Sequence, residues 1–320
     1  MGDRAVVRYE VTGRVARLTL DRPERGNAIT RQMIGELAAC VERADLDPGV
    51  HVLSLTGAGS GFCGGYDLVE SAERRAGAPA EGPAPAEGPA SATEGPRAPV
   101  PAGSPLDPVV IAANHDPGAT WDPMVDYAMM SRNVGGFMSL FDCGKPVVCS
   151  VHGFCIAGGT DMALCSDLLL VAADAKIGYP PARVWGSPTT ALWAHRVGAQ
   201  RAKRLLFTGD CLSGTEAVEW GLAIEAPPAD RLAERTDVLL ERIARVPVNQ
   251  LMMMKLLVNQ SVHAQGLHAS QLLGTVFDGI ARHTAEGHAF RSRAVQAGFR
   301  EAVRERDEPF GDHGRSTFKG

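Results

Sequence analysis

The stretch KPVVCSVHGFCIAGGTDMALCSDLLLVAADAKIG, residues 145–178, decides how the rest of the chain is interpreted. It begins with β-branched residues typical of a buried strand, breaks at Gly158-Gly159, and continues as a short helical pattern that carries Asp161. A glycine turn between a strand and a helix leaves backbone N–H groups unpaired and directed at one place. Such a place attracts a phosphate, or the oxygen that becomes negative when a carbonyl reacts. The pattern therefore predicts an anion-stabilising turn with a carboxylate beside it.

A second glycine-rich turn follows the strand predicted over His51–Thr56. Its sequence is GAGSGFCGGYDL, residues 57–68, and a helix start is expected at its end. Before it, residues 15–20 alternate faces as a strand does, and Thr30 is placed to cap a helix that stops at residues 47–49. Two glycine turns in comparable strand–turn–helix units are stronger evidence for a site than one.

Residues 75–108 differ in character from the rest of the chain. EGP recurs at 81, 87 and 94 in an Ala/Pro/Gly/Ser background that cannot bury a core. This segment is predicted to be a disordered or loosely extended insertion, with structure resuming as a helix from Trp121 to Phe141.

The second half of the chain is predicted to be mostly helical. A Ser-Pro start and a glycine stop predict a helix over 187–198, and Ser213 with Glu216 forms a capping-box pattern. Residues 229–306 are helical in pattern, and a frayed polar tail is expected from Asp307.

Composition narrows the class of protein. The 320 residues, 45% of them apolar, suffice for one large domain or two ordinary ones, and the net charge is −5. Basic residues are scattered without interleaved aromatics, so no nucleic-acid partner is expected. No run of about 18 apolar residues indicates a membrane span, and the N-terminus lacks a secretory pattern. Seven dispersed cysteines without zinc spacing predict buried thiols in a reducing cytoplasm.

The two glycine turns resemble those of the enoyl-CoA hydratase/isomerase (crotonase) superfamily. Residues 62–68, FCGGYDL, are similar to the family's F-[SC]-[AG]-G-x-D-L segment. Residues 151–161, VHGFCIAGGTD, are similar to its V-x-G-x-x-x-G-G-G-x-[ED] segment, with Ala157 in place of the first consecutive glycine. Further matching segments follow in family order within residues 10–225: Arg22-Pro23, Asn27-Ala28, Lys145-Pro146, Cys165-Ser166-Asp167, Leu206-Phe207-Thr208-Gly209 and Glu219-Trp220-Gly221-Leu222.

The resemblance implies an α/β fold, a spiral of ββα repeats. The crotonase-like core would occupy residues 1–228, interrupted by the insertion at 75–108, and residues 229–320 would form a helical region used in assembly as a homotrimer or a dimer of trimers. It also implies an acyl-CoA substrate, in fatty-acid or related acyl-CoA metabolism, and no metal or redox cofactor, since coenzyme A is part of the substrate.

By the same resemblance, the backbone N–H groups of Tyr66 and Gly158 form an oxyanion hole, and Asp161 carries protons. The 22–28 turn and the 64–68 loop are expected to hold the adenine and pantetheine. The residues expected to contact the substrate are Gly26, Ala28, Gly64, Gly65, Asp67, Leu68, Phe154, Ala157, Pro181 and Val184.

The sequence departs from the family at the second catalytic glutamate, where Pro181 stands. Proline has no titratable group, so hydration by two carboxylates is not predicted from this motif. A single carboxylate suits proton abstraction and return, as in a double-bond shift. Water addition with help from Tyr179 or His195 stays open. The family's later acidic position falls near Thr189, which cannot supply a carboxylate either.

Simpler interpretations accompany each site residue. Asp161 could only cap its helix, His152 could be a satisfied histidine at a strand end, and Cys63 a packing residue in a glycine turn. The leading prediction is an enoyl-CoA hydratase/isomerase-like enzyme. The alternatives are a catalytically weak acyl-CoA-binding or scaffolding trimer, which Pro181 motivates, and an acyl-CoA thioester hydrolase on the same scaffold.

Overall fold

The computed structural model describes residues 4–67 and 100–311. Its strands are β1 (Val7–Thr12), β2 (Val15–Leu20), β3 (Val52–Gly57), β4 (Val147–Val151), β5 (Phe154–Ile156), β6 (Leu168–Val171), β7 (Lys176–Gly178) and β8 (Cys211–Ser213).

The helices divide between the core and the C-terminal half. They are α1 (Arg31–Leu46), α2 (Pro108–Asn114), α3 (Pro123–Asp142), α4 (Gly158–Leu164), α5 (Trp193–Thr208), α6 (Gly214–Glu219), α7 (Leu232–Ala244), α8 (Val248–Ala264), α9 (Leu267–Arg282), α10 (Ala285–Ala297) and α11 (Phe299–Asp307).

Two sheets organise these elements. The larger has the order β1-β2-β3-β4-β6, in which only the β1–β2 pair is antiparallel. Its interior strand β4 is buried along its whole length, as its run of Val and Cys requires. The smaller sheet has the order β5-β7-β8. Because β4 leads into β5 through residues 152–153, the chain passes from one sheet to the other just before the predicted glycine turn at Gly158-Gly159.

Helices cover both faces of the larger sheet. Helix α1 begins at Thr30, whose hydroxyl accepts the Met33 amide, so the predicted cap is confirmed. Helix α3 packs against α1, and α7 packs against β2, β3, β4 and β6. The placement of a domain boundary at residue 228 stays a prediction. Among the described residues, no helix combines the length and the apolarity that a membrane span needs.

The prediction that structure resumes at Trp121 is wrong. Helix α2 already begins at Pro108, because Asp107 accepts the Val109 amide as an N-cap and Pro108 occupies the first helical position. Asp107 also accepts the Gly103 amide, which holds the preceding turn. The rest of the predicted insertion, residues 75–99, lies outside the described residues.

Two further predictions in the C-terminal half need correction. The helix predicted over 187–198 starts only at Trp193, and Gly198, with φ +78°, is a kink inside it. The 187–190 segment instead enters a turn, in which the Ala191 amide donates to the Pro188 carbonyl, and contacts with Asp161 and α9 hold it in place. Asp307 is not part of a frayed tail, since it is buried in ion pairs with Arg183 and Arg306.

Other helix signals were interpreted correctly. The capping box of Ser213 and Glu216 forms with both of its hydrogen bonds. Pro247 and Gly266, which interrupt the helical pattern of residues 229–306, are the N-cap residues of α8 and α9.

Candidate active site

The two predicted glycine turns meet through strand β5. The Phe62 amide donates to the Phe154 carbonyl at 2.9 Å, and the Ile156 amide donates to the Cys63 carbonyl at 2.9 Å. Cys63 and Cys155 therefore pair as neighbours of a parallel bridge. This short pairing fixes the first turn against the second and brings Tyr66 beside Gly158.

Close approach of the turns explains why glycines stand at 158 and 159. A Cβ on Gly159 would lie 2.7 Å from the Cys63 carbonyl oxygen. A Cβ on Gly158 would lie 2.8 Å from Cε2 of Tyr66 and 2.9 Å from Cδ1 of Ile29. The predicted loops thus share one packed contact, in which the Tyr66 ring covers Gly158.

Two backbone amides are left over at this contact. Ile29 pairs with the first turn on both sides of Tyr66, donating to the Gly65 carbonyl and accepting from the Asp67 amide. Within residues 4–67 and 100–311, neither the Tyr66 amide nor the Gly158 amide has a hydrogen-bond acceptor. A Cβ on Gly65 would lie 3.7 Å from the Gly158 nitrogen, so the two turns approach closely where these donors stand.

Ala157 holds a backbone conformation that normally belongs to glycine. Its φ is +56° and its ψ is −122°, far from the regions that L-residues with a Cβ favour. Such a conformation costs on the order of 1–3 kcal/mol and persists only where the surrounding structure requires it. Here it turns the chain from β5 into α4, so the substitution at the family's first consecutive glycine keeps the geometry of the turn.

Asp161 lies in the first turn of α4 and is fully buried. Its Oδ1 accepts the Thr190 hydroxyl at 2.9 Å and the Thr190 amide at 3.4 Å, whereas its Oδ2 has no partner among the described residues. The residue at the N-cap is Ala157, and the Asp161 carboxylate bonds Thr190 instead of the helix start. Burial raises the pKa of Asp161 from 3.8 to about 7, although the Thr190 hydrogen bonds oppose the rise.

The turn at residues 22–28 is tied to the first glycine loop. Asn27 is buried, and its amide nitrogen donates to the Ala58 and Gly61 carbonyls. Arg22 donates to the Ala28 carbonyl at 2.7 Å and pairs with Asp67 at 3.1 Å. The segments predicted to hold the adenine and pantetheine therefore form one rigid rim.

The remaining predicted contact residues take different positions. The Gly64 amide donates to the Gly26 carbonyl, and the Phe154 ring packs within 3.3 Å of the place where a Gly26 Cβ would stand. Phe154 thus supports the rim from beneath. Leu68 lies outside the described residues.

Pro181 lies in the short 3-10 helix that follows β7, and Val184 is the residue that ends it. The Val184 amide donates to the Pro181 carbonyl. Tyr179, just before this turn, donates its hydroxyl to the Ser187 carbonyl at 2.8 Å, and burial raises its pKa well above 10.0. Tyr179 is therefore near the site, as the sequence allowed, but its proton is already engaged.

Three further side chains considered in the sequence have local roles. Burial lowers the pKa of His195, against an opposing effect of the Gln265 side chain, and His152 bonds the Gly59 carbonyl at 2.9 Å. Cys63 is buried, bonds the Asn27 carbonyl, and has its pKa raised to about 12 by burial.

Two functional candidates escaped the sequence analysis. Thr190 positions Asp161, and a buried carboxylate, Asp278 on α9, approaches the same region. In the sequence, Asp278 is marked only by being an acid between two glycines in an otherwise apolar part of α9. Arg282 follows it four residues later.

One cluster outside this region has metal-ligand residue types. His115, Asp126 and His283 place ligand atoms within 4.8 Å of one another. Asp126, however, already accepts both histidines, Asn114 and Trp121, and the Arg282 guanidinium lies 3.7 Å away. These donors explain the cluster as a hydrogen-bonded anchor that ties the ends of α2 and α9 to Asp126 of α3, and burial lowers the pKa of His115 to about 4.

Paired glycine turns with free amides, beside a buried carboxylate, define an α/β protein of the crotonase fold. The chain matches the family described as enoyl-CoA hydratase/isomerase over residues 10–85 and 122–292, and it belongs to that family.

Relatives support the same class. EchA13 of Mycobacterium tuberculosis, which carries the name of an enoyl-CoA hydratase, is 31% identical over 274 residues, covering 82% of this chain and 76% of the relative. The 1,2-epoxyphenylacetyl-CoA isomerase of Escherichia coli is 28% identical and covers 77% and 79%. A crystal structure of an enoyl-CoA hydratase from Mycobacterium smegmatis shares 54% identity and a TM-score of 0.87, covering 98% of this chain and 97% of that one.

Proposed function

We propose that this protein moves a proton on the acyl chain of an enoyl-CoA thioester and thereby shifts or forms its double bond. The observation that carries the proposal is the meeting of two acceptor-free backbone amides, at Tyr66 and Gly158, beside the buried Asp161. A thioester carbonyl bound by both amides would become an enolate more readily, because the donors are already oriented where negative charge develops. Each donor of this kind is worth about 2.7–4 kcal/mol.

Asp161 supplies the proton carrier. Burial places its pKa at about 7, so both protonation states are populated near neutral pH. A group with its pKa near the working pH both accepts and returns protons efficiently. The Thr190 bonds hold one oxygen and leave Oδ2 for the substrate.

The rim formed by the 22–28 turn and residues 64–67 is proposed to hold the coenzyme A portion, and no separate cofactor is needed for this chemistry. We further propose assembly into a homotrimer or a dimer of trimers. Large apolar side chains exposed on α8 and α9 support an assembly surface: Met253, Met254, Leu256, Leu257, Val258, Leu272, Leu273, Val276, Phe277 and Ile280. A place in fatty-acid or related acyl-CoA metabolism, in the cytoplasm, completes the proposal.

The experiment incubates the protein with 2-enoyl- and 3-enoyl-CoA and separates the products by liquid chromatography with mass detection. Calorimetry with the same thioesters measures binding. Asp161→Ala is expected to bind with little change and to lose at least 100-fold in turnover, whereas Asp230→Ala, at an exposed position, keeps the parent rate. Unchanged turnover in Asp161→Ala would remove Asp161 from the mechanism.

A binding or scaffolding role is the second candidate, because Pro181 removes the family's second acid. Tight binding with no turnover of either thioester by the parent protein would favour it. Release of free coenzyme A would instead indicate thioester hydrolysis.

A further inference from the structure

Asp278 is a buried carboxylate that enters the region of Pro181 from a different element. A Cβ placed on Gly186 would lie 3.5 Å from Cβ of Pro181 and 3.8 Å from Oδ1 of Asp278. The hydroxyl of Tyr179 is 3.7 Å from the same point. The carboxylate of α9 therefore occupies the neighbourhood of the side chain that Pro181 lacks.

Helix α9 and the 187–190 segment connect this carboxylate to Asp161. Gln271 and Asp278 are seven residues apart and so share one face of α9. Gln271 donates to the Thr190 carbonyl at 3.2 Å, and the Ser187 amide points to Asp278 Oδ1 at 3.5 Å. The backbone from Ser187 to Thr190 spans at most roughly 10 Å, and the hydrogen bond from the Ala191 amide to the Pro188 carbonyl shows that it turns within this length. Asp161 is bound at the Thr190 end of that segment and Asp278 lies at the Ser187 end.

We propose that Asp278 is the second carboxylate of the active site and activates a water molecule for addition to the β-carbon of a bound 2-enoyl-CoA. The inference rests on the proposed function, since it needs the thioester bound by the Tyr66 and Gly158 amides.

The addition balances with these groups alone. Asp278 takes a proton from water while the water oxygen bonds to the β-carbon. The π electrons of the double bond move toward the thioester oxygen, where the two amides hold the enolate. Protonated Asp161 then delivers its proton to the α-carbon, and the carbonyl forms again. The product is a 3-hydroxyacyl-CoA, and both carboxyl groups exchange protons with solvent to return to their starting states.

The environments of the two carboxyl groups suit this division of roles. Arg282 contacts Asp278 directly, which favours the ionised form that a base needs, although burial raises the pKa of Asp278. Asp161 has no cationic partner among the described ion pairs, and burial raises its pKa to about 7. When two carboxyl groups of a site lie in different environments, their pKa values differ, and one can act as the acid while the other acts as the base.

Among the described residues, Oδ2 of Asp161 and the hydroxyl of Thr189 are buried without a hydrogen-bond partner, so both are polar groups that a bound substrate or water would satisfy.

The test compares two reactions in the same protein. Hydration is followed as formation of the 3-hydroxyacyl-CoA from a short-chain 2-enoyl-CoA. The double-bond shift is followed as conversion of a 3-enoyl-CoA to its 2-enoyl isomer in D2O, with deuterium uptake read by mass spectrometry. Asp278→Asn is expected to lose at least 100-fold in hydration and to keep the shift within about threefold. Asp161→Asn is expected to lose both reactions.

Two companion variants keep the test decisive. The double variant Asp278→Asn with Arg282→Gln removes both members of the Asp278–Arg282 pair, and Asp126 keeps its hydrogen bonds from both histidines, Asn114 and Trp121, so it should fold even where the single variant does not. It should show the same selective loss of hydration. Asp126→Asn weakens the other carboxylate contact of Arg282, 3.7 Å away, and should keep hydration within about threefold.

The inference is overturned if the parent protein does not hydrate 2-enoyl-CoA, if Asp278→Asn hydrates at the parent rate, or if Asp126→Asn loses as much as Asp278→Asn. A parent protein that shifts double bonds without hydration contradicts only this inference. A parent protein that binds the thioester and catalyses neither reaction contradicts the proposed function as well.

Discussion

Replacing Asp161 with asparagine should stabilise the protein relative to the parent, and by a larger amount at higher pH. The carboxyl group is fully buried, and burial raises its pKa from 3.8 to about 7. Between these two values the folded protein holds a proton that the unfolded chain has released. The free energy of unfolding of the parent therefore falls as the pH rises through this window, and the penalty is complete above about pH 7.

The size of the effect follows from the shift. One pKa unit corresponds to about 1.36 kcal/mol, so the full penalty is about 4 kcal/mol. About 2–3 kcal/mol of it develops between pH 5 and pH 8. Asparagine does not titrate, and any constant cost of its amide at this position is the same at both pH values. The pH dependence of the difference in free energy of unfolding between variant and parent therefore reports the titration of Asp161 alone.

The assay is urea unfolding of parent and Asp161→Asn at pH 5 and pH 8, at one protein concentration because an oligomer's stability depends on it. The stability of the variant relative to the parent should rise by about 2–3 kcal/mol from the lower to the higher pH. Asp230→Asn, at an exposed position, serves as the control and should follow the parent. If the free energies of unfolding of the parent and of Asp161→Asn change with pH in parallel, the carboxyl group of Asp161 does not have the raised pKa expected from its burial.

Three further predictions concern the turn and the thiols. Gly158→Ala should lower kcat/KM at least tenfold because its Cβ would lie 2.8 Å from the Tyr66 ring, whereas Gly135→Ala, with no atom within 4 Å in helix α3, should leave the kinetics unchanged; equal kinetics would contradict the packed contact. Ala157→Gly should raise the free energy of unfolding by about 1 kcal/mol in urea, since it removes a positive-φ strain; a less stable variant would contradict that strain. At pH 8 a thiol reagent should label the six buried cysteines quickly only after unfolding, and Cys40, partly exposed but with its pKa raised to about 11 by burial, should react slowly in the folded protein; rapid labelling of the six in the folded protein would contradict their burial.

Local patterns were sufficient for the parts of the fold that depend on neighbouring residues. The strands before each glycine turn, the cap at Thr30 and the capping box at Ser213 follow from side chains a few positions apart. The glycine turns were found by the same means, and their resemblance to a family placed them together. Contacts across the 61–63 and 154–156 segments then account for that pairing physically.

Features that depend on distant partners could not be read from the sequence. The Ser-Pro pair at 187 is a good helix start locally, but contacts of Ser187 and Thr190 with α9 and Asp161 hold the segment in a turn that does not continue as a helix. Asp307 resembles a tail residue until Arg183 from the opposite end of the core is seen beside it. Asp278 is one acid among the many charged residues of the C-terminal half, and only the packing of α9 against Gly186 brings it to Pro181.

The most direct measurement of the central claim is deuterium uptake at the acyl chain of a 3-enoyl-CoA in D2O, catalysed by the parent and by Asp161→Asn. The parent should exchange carbon-bound protons and yield deuterated 2-enoyl-CoA. The variant should bind the thioester as tightly and exchange at least 100-fold more slowly. Equal exchange by the two proteins, or none by a parent that binds the thioester, would contradict the account of two backbone amides and one buried carboxylate acting on the acyl chain.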